Sequence, residues 1–136
     1  MLSYAHGDLA DPGNSSIWKD LNDLPGRYAA PLGAVWLTYV DAVAVGCGAL
    51  APTANTGQAE MKRIYVIPEF RGRGLGHALA NVIIAKARSL GYKQLALSTW
   101  SHNTAGLALY GALGFIEIPA FKEHPGQDLV FMGLRL

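Results

Sequence analysis

The densest chemical signal in this chain is Arg71-Gly72-Arg73-Gly74-Leu75-Gly76-His77, three alternating glycines among basic side chains. Glycines leave backbone N–H groups uncovered. The segment runs into an apolar periodicity that predicts a helix, and the N-terminal end of a helix favours anions. Lys62, Arg63, Arg71 and Arg73, four of the eleven basic residues, lie within twelve positions. Such a loop could cradle a pyrophosphate, or it could be a tight turn with a solvated basic rim. Two other anion loops are excluded. A P-loop ends in Gly-Lys-Ser/Thr, whereas Gly76 is followed by His77-Ala78. A dinucleotide fingerprint places its glycines directly after a strand and an acid about 20 positions on. Here Pro68-Glu69-Phe70 intervene, and the next strand ends in Ser98-Thr99-Trp100.

A second constellation pairs Asn103 with Tyr110. They are seven positions apart, about two helical turns, so they share a face. Ala105, Gly106 and Ala108 between them would let another group come close. The Tyr110 phenol could protonate a leaving group held there, or its ring could simply pack in the core.

The elements that must position these groups follow from periodicity and punctuation. A loose arm (1–13) precedes a short helix from Ser15 or Ser16 to Leu24, closed by Pro25-Gly26. Residues 35–40 and 43–49 read as an antiparallel pair whose turn, near Asp41-Ala42, lacks Asn-Gly or Asp-Gly. In the strand 58–67, Met61 is apolar at an odd position but Ile64 and Val66 at even ones. That slip predicts a β-bulge, or else a strand buried on both faces. A helix over 75–90 carries Leu75, Ala78, Leu79, Val82, Ile83, Ala87 and Leu90 on its apolar face, with Gly91 as its stop. A strand (93–100), a helix from Asn103 or Thr104 to Leu113, and strands over 115–118 and 128–136 complete the chain. The order is helix, three strands, helix, strand, helix, two strands, which reads as one α/β domain over 1–136.

Composition narrows the function. The 136 residues are 51% hydrophobic with a net charge of +1. That charge argues against nucleic-acid binding. Cys47 stands alone, so a disulfide framework and a Cys-based zinc site are excluded. It is expected in the core. The N-terminus lacks a signal-peptide core, and Thr38, Asp41 and three glycines interrupt the apolar stretch 34–51, so no membrane partner is expected and the compartment reads as cytoplasmic. Trp36, Tyr39 and Trp100 are expected as core or pocket walls, and His102 as a substrate-side candidate.

Arg71 to Gly76, following Ile64-Tyr65-Val66-Ile67-Pro68 and followed by Asn103 and by Leu109-Tyr110-Gly111-Ala112-Leu113-Gly114-Phe115, resembles the GNAT superfamily of N-acetyltransferases over residues 14–136. The resemblance implies a mixed, mostly antiparallel sheet with helices on both faces. A splayed parallel pair, here strands 58–67 and 93–100, would hold acetyl-CoA. It implies pantetheine against the backbone of Ile64, Tyr65 and Val66. The pyrophosphate would lie on the N–H groups of Arg71, Gly72, Arg73, Gly74, Leu75, Gly76 and His77, and Asn103 near the thioester. No metal is implied. The acetyl group would pass directly to a primary amine of a small molecule or protein, and a homodimer is the assembly it allows. Val66 N–H would stabilise the oxyanion, Tyr110 would protonate the thiolate, and Glu60, four residues before Ile64, would serve as general base. Glu60 could instead pair with Lys62 on a solvated face; Glu69 and Glu123 are alternative bases without a spacing argument. Family members carry a strand and helix ahead of the segment that begins here near Asn14, so an abbreviated N-terminal end is expected. A non-catalytic acyl-CoA-binding module on the same scaffold is the alternative.

Overall fold

Ala34–Val40 (β1) and Val43–Pro52 (β2) form an antiparallel pair, with Val40 opposite Val43 across a two-residue loop. Asp41 and Ala42 both adopt left-handed backbone, φ 50° and 66°. This is the type I′ pattern, whose twist matches that of the flanking strands. Ala42 bears a cost of about 1–2 kcal/mol for a conformation that glycine takes freely. The turn therefore forms because the two strands demand it. The computed structural model describes residues 32–123 and 128–136; the expected arm and the expected helix from Ser15 or Ser16 lie outside them.

Gln58–Val66 (β3) leads through a single 3₁₀ turn at Pro68–Phe70 into the helix Leu75–Ser89 (α1). Gln94–Trp100 (β4), the helix Thr104–Ala112 (α2), Ile116–Glu117 (β5) and Leu129–Arg135 (β6) follow. The described strands form one sheet in the order β1-β2-β3-β4-β6-β5. Only β3 and β4 run parallel; every other neighbouring pair is antiparallel.

Both described helices cover one face of this sheet. Leu79, Ala80, Ile83, Ile84 and Ala87 of α1 are buried. Ala80, Ile83, Ile84 and Ala87 form a core cluster with Leu50, Ala59, Met61, Leu95, Leu97, Tyr110, Phe115 and Met132. The buried arc of α1 differs from the expected one. Val82 is 49% exposed and Ala78 is exposed, while Ala80 and Ile84 take their places inside. Residues 78–80 and 82–84 are all apolar, and only Asn81 between them is polar. Periodicity alone could not set the phase there, and packing on the sheet does. Ala49 and Ala51 form a separate small buried cluster.

Candidate active site

The bulge expected in β3 is present. Cys47 pairs with Tyr65 and Ala49 with Lys62, so Gly48 faces the two residues Arg63 and Ile64. Arg63 has φ 60°, a left-handed residue inside a strand. The extra residue reverses the facing of side chains: Ala59 and Met61 precede it and Ile64 and Val66 follow it, all on the helix face. A Cβ built on Gly48 would lie 2.8 Å from Ile64 Cδ1 and 2.9 Å from Ile83 Cδ1; one on Gly46 would lie 2.9 Å from the Tyr65 carbonyl and 3.4 Å from Val66 Cγ2. The two glycines therefore let β2 fit beneath the bulged strand. Cys47, buried as expected, directs its Sγ to the Arg63 carbonyl at 3.1 Å, and burial pushes its thiol pKa up.

Next to the bulge the sheet opens. β3 and β4 are in register only at Gln58–Gln94, Ala59–Leu95 and Glu60–Ala96. The closed end is tied by Gln58 Nε2 donating to Gln94 Oε1 at 2.7 Å and by Lys93 N–H donating to the Gly57 carbonyl at 2.7 Å. Past Glu60 and Ala96 the two strands continue without pairing, and β4 through Trp100 keeps its register with β6 alone. Ile67 N–H donates to the Val45 carbonyl at 2.9 Å. Amide directions alternate along a strand, so Val66 and Ile64 turn theirs to the opposite edge, into the gap. Tyr65, in register with Cys47, turns its amide to β2. Of the three residues expected against pantetheine, Ile64 and Val66 thus offer backbone to the gap.

The basic glycine loop lies at the open end of β3. Gly72 and Gly74 have φ 80° and 79°, which only glycine adopts without strain, and a Cβ on either would meet nothing within 4 Å. Gly74 is the N-cap of α1 and supplies no side-chain cap. Ala78 N–H is the donor to the Gly74 carbonyl, at 3.0 Å, so the amides of Leu75, Gly76 and His77 precede the helical ladder. Arg71 is held back along β3: its Nε donates to the Val66 carbonyl at 2.8 Å, and its guanidinium lies 5.3 Å from the Tyr65 ring centroid. Arg71 N–H donates to the Pro68 carbonyl within the 3₁₀ turn, at 3.2 Å. Arg73 lies over Phe70 at 4.7 Å. Two guanidinium groups, exposed loop backbone and a helix N-terminus thus share one corner, an arrangement suited to a diphosphate.

Asn103 caps α2. Its side chain accepts from Gly106 N–H at 3.0 Å and donates through Nδ2 to Thr99 Oγ1 at 2.8 Å, which ties the helix start to the end of β4. A side chain at position 106 would collide with the Asn103 amide, which explains the glycine there. Tyr110, two turns on, is 8% exposed within the helix-face core, its ring edge-on to Phe115 at 5.8 Å. It therefore packs in the core and also lies on the helix that opens beside the gap.

Glu60 is the last residue of β3 paired with β4, on the face opposite Ala59 and Met61, and only 3% exposed. Glu60 is thus buried and not on the solvated face weighed from the sequence. Lys122, from the β5–β6 connection, donates to Glu60 Oε2 at 2.5 Å. No sequence signal could have linked two residues 62 positions apart. Glu69 and Glu123 are exposed. Trp100, 46% exposed, stacks on His102 at 5.9 Å, while Tyr39 is 59% exposed and Trp36 packs on the core. His77 Nδ1 lies 3.0 Å from Asn81 Nδ2 at the helix start. Among the described residues no group of three His, Cys, Asp or Glu could hold a metal, and no helix is long and apolar enough to cross a membrane.

Comparison with known proteins agrees with this geometry. Residues 7–115 match the model of the acetyltransferase (GNAT) family. The chain is 32% identical over 119 residues to the uncharacterized N-acetyltransferase YjgM of Escherichia coli, covering 86% of this chain and 71% of that protein. It is 33% identical over 111 residues to an uncharacterized N-acetyltransferase of Schizosaccharomyces pombe, covering 81% and 68%. A GNAT family acetyltransferase of Elizabethkingia anophelis, solved with acetyl-CoA bound, superposes with a TM-score of 0.71 at 25% identity, over 95% of this chain and 87% of that one. With a parallel strand pair that parts beside a bulge and a basic glycine loop at its mouth, the chain belongs to the GNAT family of acetyltransferases, whose acetyl donor is acetyl-CoA.

Proposed function

We propose that this chain transfers the acetyl group of acetyl-CoA directly to a primary amine of a small molecule or a protein. One observation carries the reading. The backbone of Ile64 and Val66 faces an unbridged gap whose open end leads to the glycine loop. The edge of β3 offers the donor a strand-like partner, and the loop at residues 71–77 offers amides and two arginines to its phosphates. When bound, acetyl-CoA supplies an activated acetyl thioester. Glu60 then takes a proton from the acceptor's ammonium. Val66 N–H donates to the oxygen on which negative charge develops, a role worth several kcal/mol in related chemistry. The Tyr110 phenol gives its proton to the departing sulfur as a general acid. Glu60 and Tyr110 belong to opposite faces of the sheet. That separation lets an amine and a leaving thiolate be served from the two sides of one gap.

Binding is the first test. Acetyl-CoA at about a hundred times its Kd stabilises a folded protein by about 2.7 kcal/mol, which for a chain of this size is a rise in Tm of roughly 8 °C. The expected result is such a rise with acetyl-CoA and a smaller one with ATP at equal concentration. A larger rise with ATP would move the chain to the nucleotide binders.

A further inference from the structure

The Glu60–Lys122 contact is unusual in being buried on one side only: the Glu60 side chain is 4% exposed and that of Lys122 33%. The carboxylate sits at the last paired position before β3 and β4 part, on the sheet face away from the two described helices. Lys122 arrives from the β5–β6 connection. Its Nζ lies 5.7 Å from the Phe121 ring, which packs edge-on against Phe131 of β6 at 5.3 Å. The connection thereby delivers a primary ammonium, on an unbranched four-carbon stem, to a nearly buried carboxylate at the closed end of the gap. A carboxylate so far out of water requires a cation. Because Lys122 keeps a third of its surface in solvent, another ammonium can approach the same carboxylate from that side.

We propose that Lys122 is an internal stand-in for the acceptor. Its ε-ammonium holds at Glu60 the place that the acceptor's ammonium takes in turnover. The acceptor is accordingly a primary alkylammonium, and Lys122 is itself a site of slow self-acetylation when no acceptor is present. This rests on the reading of Glu60 as the acceptor's base. In the self-acetylation step Glu60 takes one proton from Lys122 Nζ, and the freed lone pair forms the N–C bond to the acetyl carbonyl carbon. The C–S bond breaks with its electron pair on sulfur, which takes a proton from Tyr110. The extra proton left on nitrogen goes to solvent. The products are N-acetyl-lysine at position 122 and CoA thiol.

The test uses the full chain, acetyl-CoA and n-butylamine, which reproduces the lysine stem. Incubated with acetyl-CoA alone, the wild type is expected to gain one acetyl group, mapped to Lys122 by peptide mass spectrometry, and n-butylamine is expected to suppress it. Lys122→Ala, with the competing ammonium gone, is expected to show a KM for n-butylamine about tenfold lower, the equivalent of about 1.4 kcal/mol. A merely structural pair would leave that KM unchanged and Lys122 unmodified, and either result overturns the proposal. If Lys122→Ala does not fold, the mass measurement on the wild type decides alone: turnover of n-butylamine without acetyl on Lys122 rules the stand-in out. Glu60→Gln separates the two readings. Loss of turnover in that variant, together with an unmodified Lys122 in the wild type, sinks the stand-in and leaves Glu60 as base. Normal turnover in Glu60→Gln removes the base and the stand-in together.

Discussion

Replacing Tyr110 with phenylalanine is expected to lower kcat about a hundredfold while KM for acetyl-CoA changes by no more than about twofold. The substitution removes one hydroxyl and leaves the ring. The edge-on contact with Phe115 and the place of the side chain in the helix-face core are therefore retained. A group that donates its proton only as the carbon–sulfur bond breaks contributes to the transition state and not to donor binding, so the loss appears in kcat. If Tyr110 were only a core aromatic, as its 8% exposure would also allow, the phenylalanine variant would turn over like the wild type. Steady-state kinetics on one variant thus separates the two roles.

Gly74→Val is expected to produce the complementary defect, a rise of about a hundredfold in KM for acetyl-CoA with kcat nearly intact. Gly74 sits at φ 79° as the N-cap of α1. A valine there incurs about 1–2 kcal/mol of backbone strain, more if its branched side chain crowds the turn. It also sets a side chain beside the amides of Leu75, Gly76 and His77, where charge-assisted hydrogen bonds to a phosphate are worth about 1.5–3 kcal/mol each. Losing one or two such bonds amounts to roughly 3 kcal/mol, or about two decades in affinity, whereas the strain is present with and without donor and lowers only the stability of the fold. Nothing lies within 4 Å of the built Cβ, so the core is untouched and the folded chain remains. A Gly74→Val protein with wild-type KM would place the donor's phosphates elsewhere.

How much of this was visible in the sequence depends on the range of the interaction that decides each feature. The bulge was legible because it leaves a parity mark: Met61 at an odd position, Ile64 and Val66 at even ones. The uncovered amides of the glycine loop and a helix start at Asn103 or Thr104 were legible because they are local backbone features, and the structure adds the left-handed φ of Gly72 and Gly74 and the cap at Asn103. The pairing of Gln58 with Gln94 at the closed end of the gap was not, since either glutamine reads as an ordinary solvated residue until the strands meet. The same holds for Glu60 and Lys122, whose meeting depends on the course of the β5–β6 connection. In α1 the amphipathic stripe was legible but its phase was not, because apolar residues surround Asn81 on both sides and exposure of Val82 is settled by the sheet beneath. At Asp41-Ala42 the sequence lacked the favoured turn residues, and the strand register imposed the turn against local preference.

The alternative, an acyl-CoA-binding module without transfer, shares the gap and the loop with the enzyme and differs only in what Glu60 and Tyr110 do. Donor binding therefore cannot separate the two. Release of CoA thiol can, and the chain's own cysteine interferes little, because Cys47 is buried and its thiol pKa is pushed up by that burial. The decisive measurement is thiol release from acetyl-CoA over a panel of polyamines, aminoglycosides, amino acids and peptide N-termini, with each product checked by mass. The account predicts that at least one primary amine releases thiol in equal amount to acetylated amine. Tight binding of acetyl-CoA with no thiol released by any amine would contradict it.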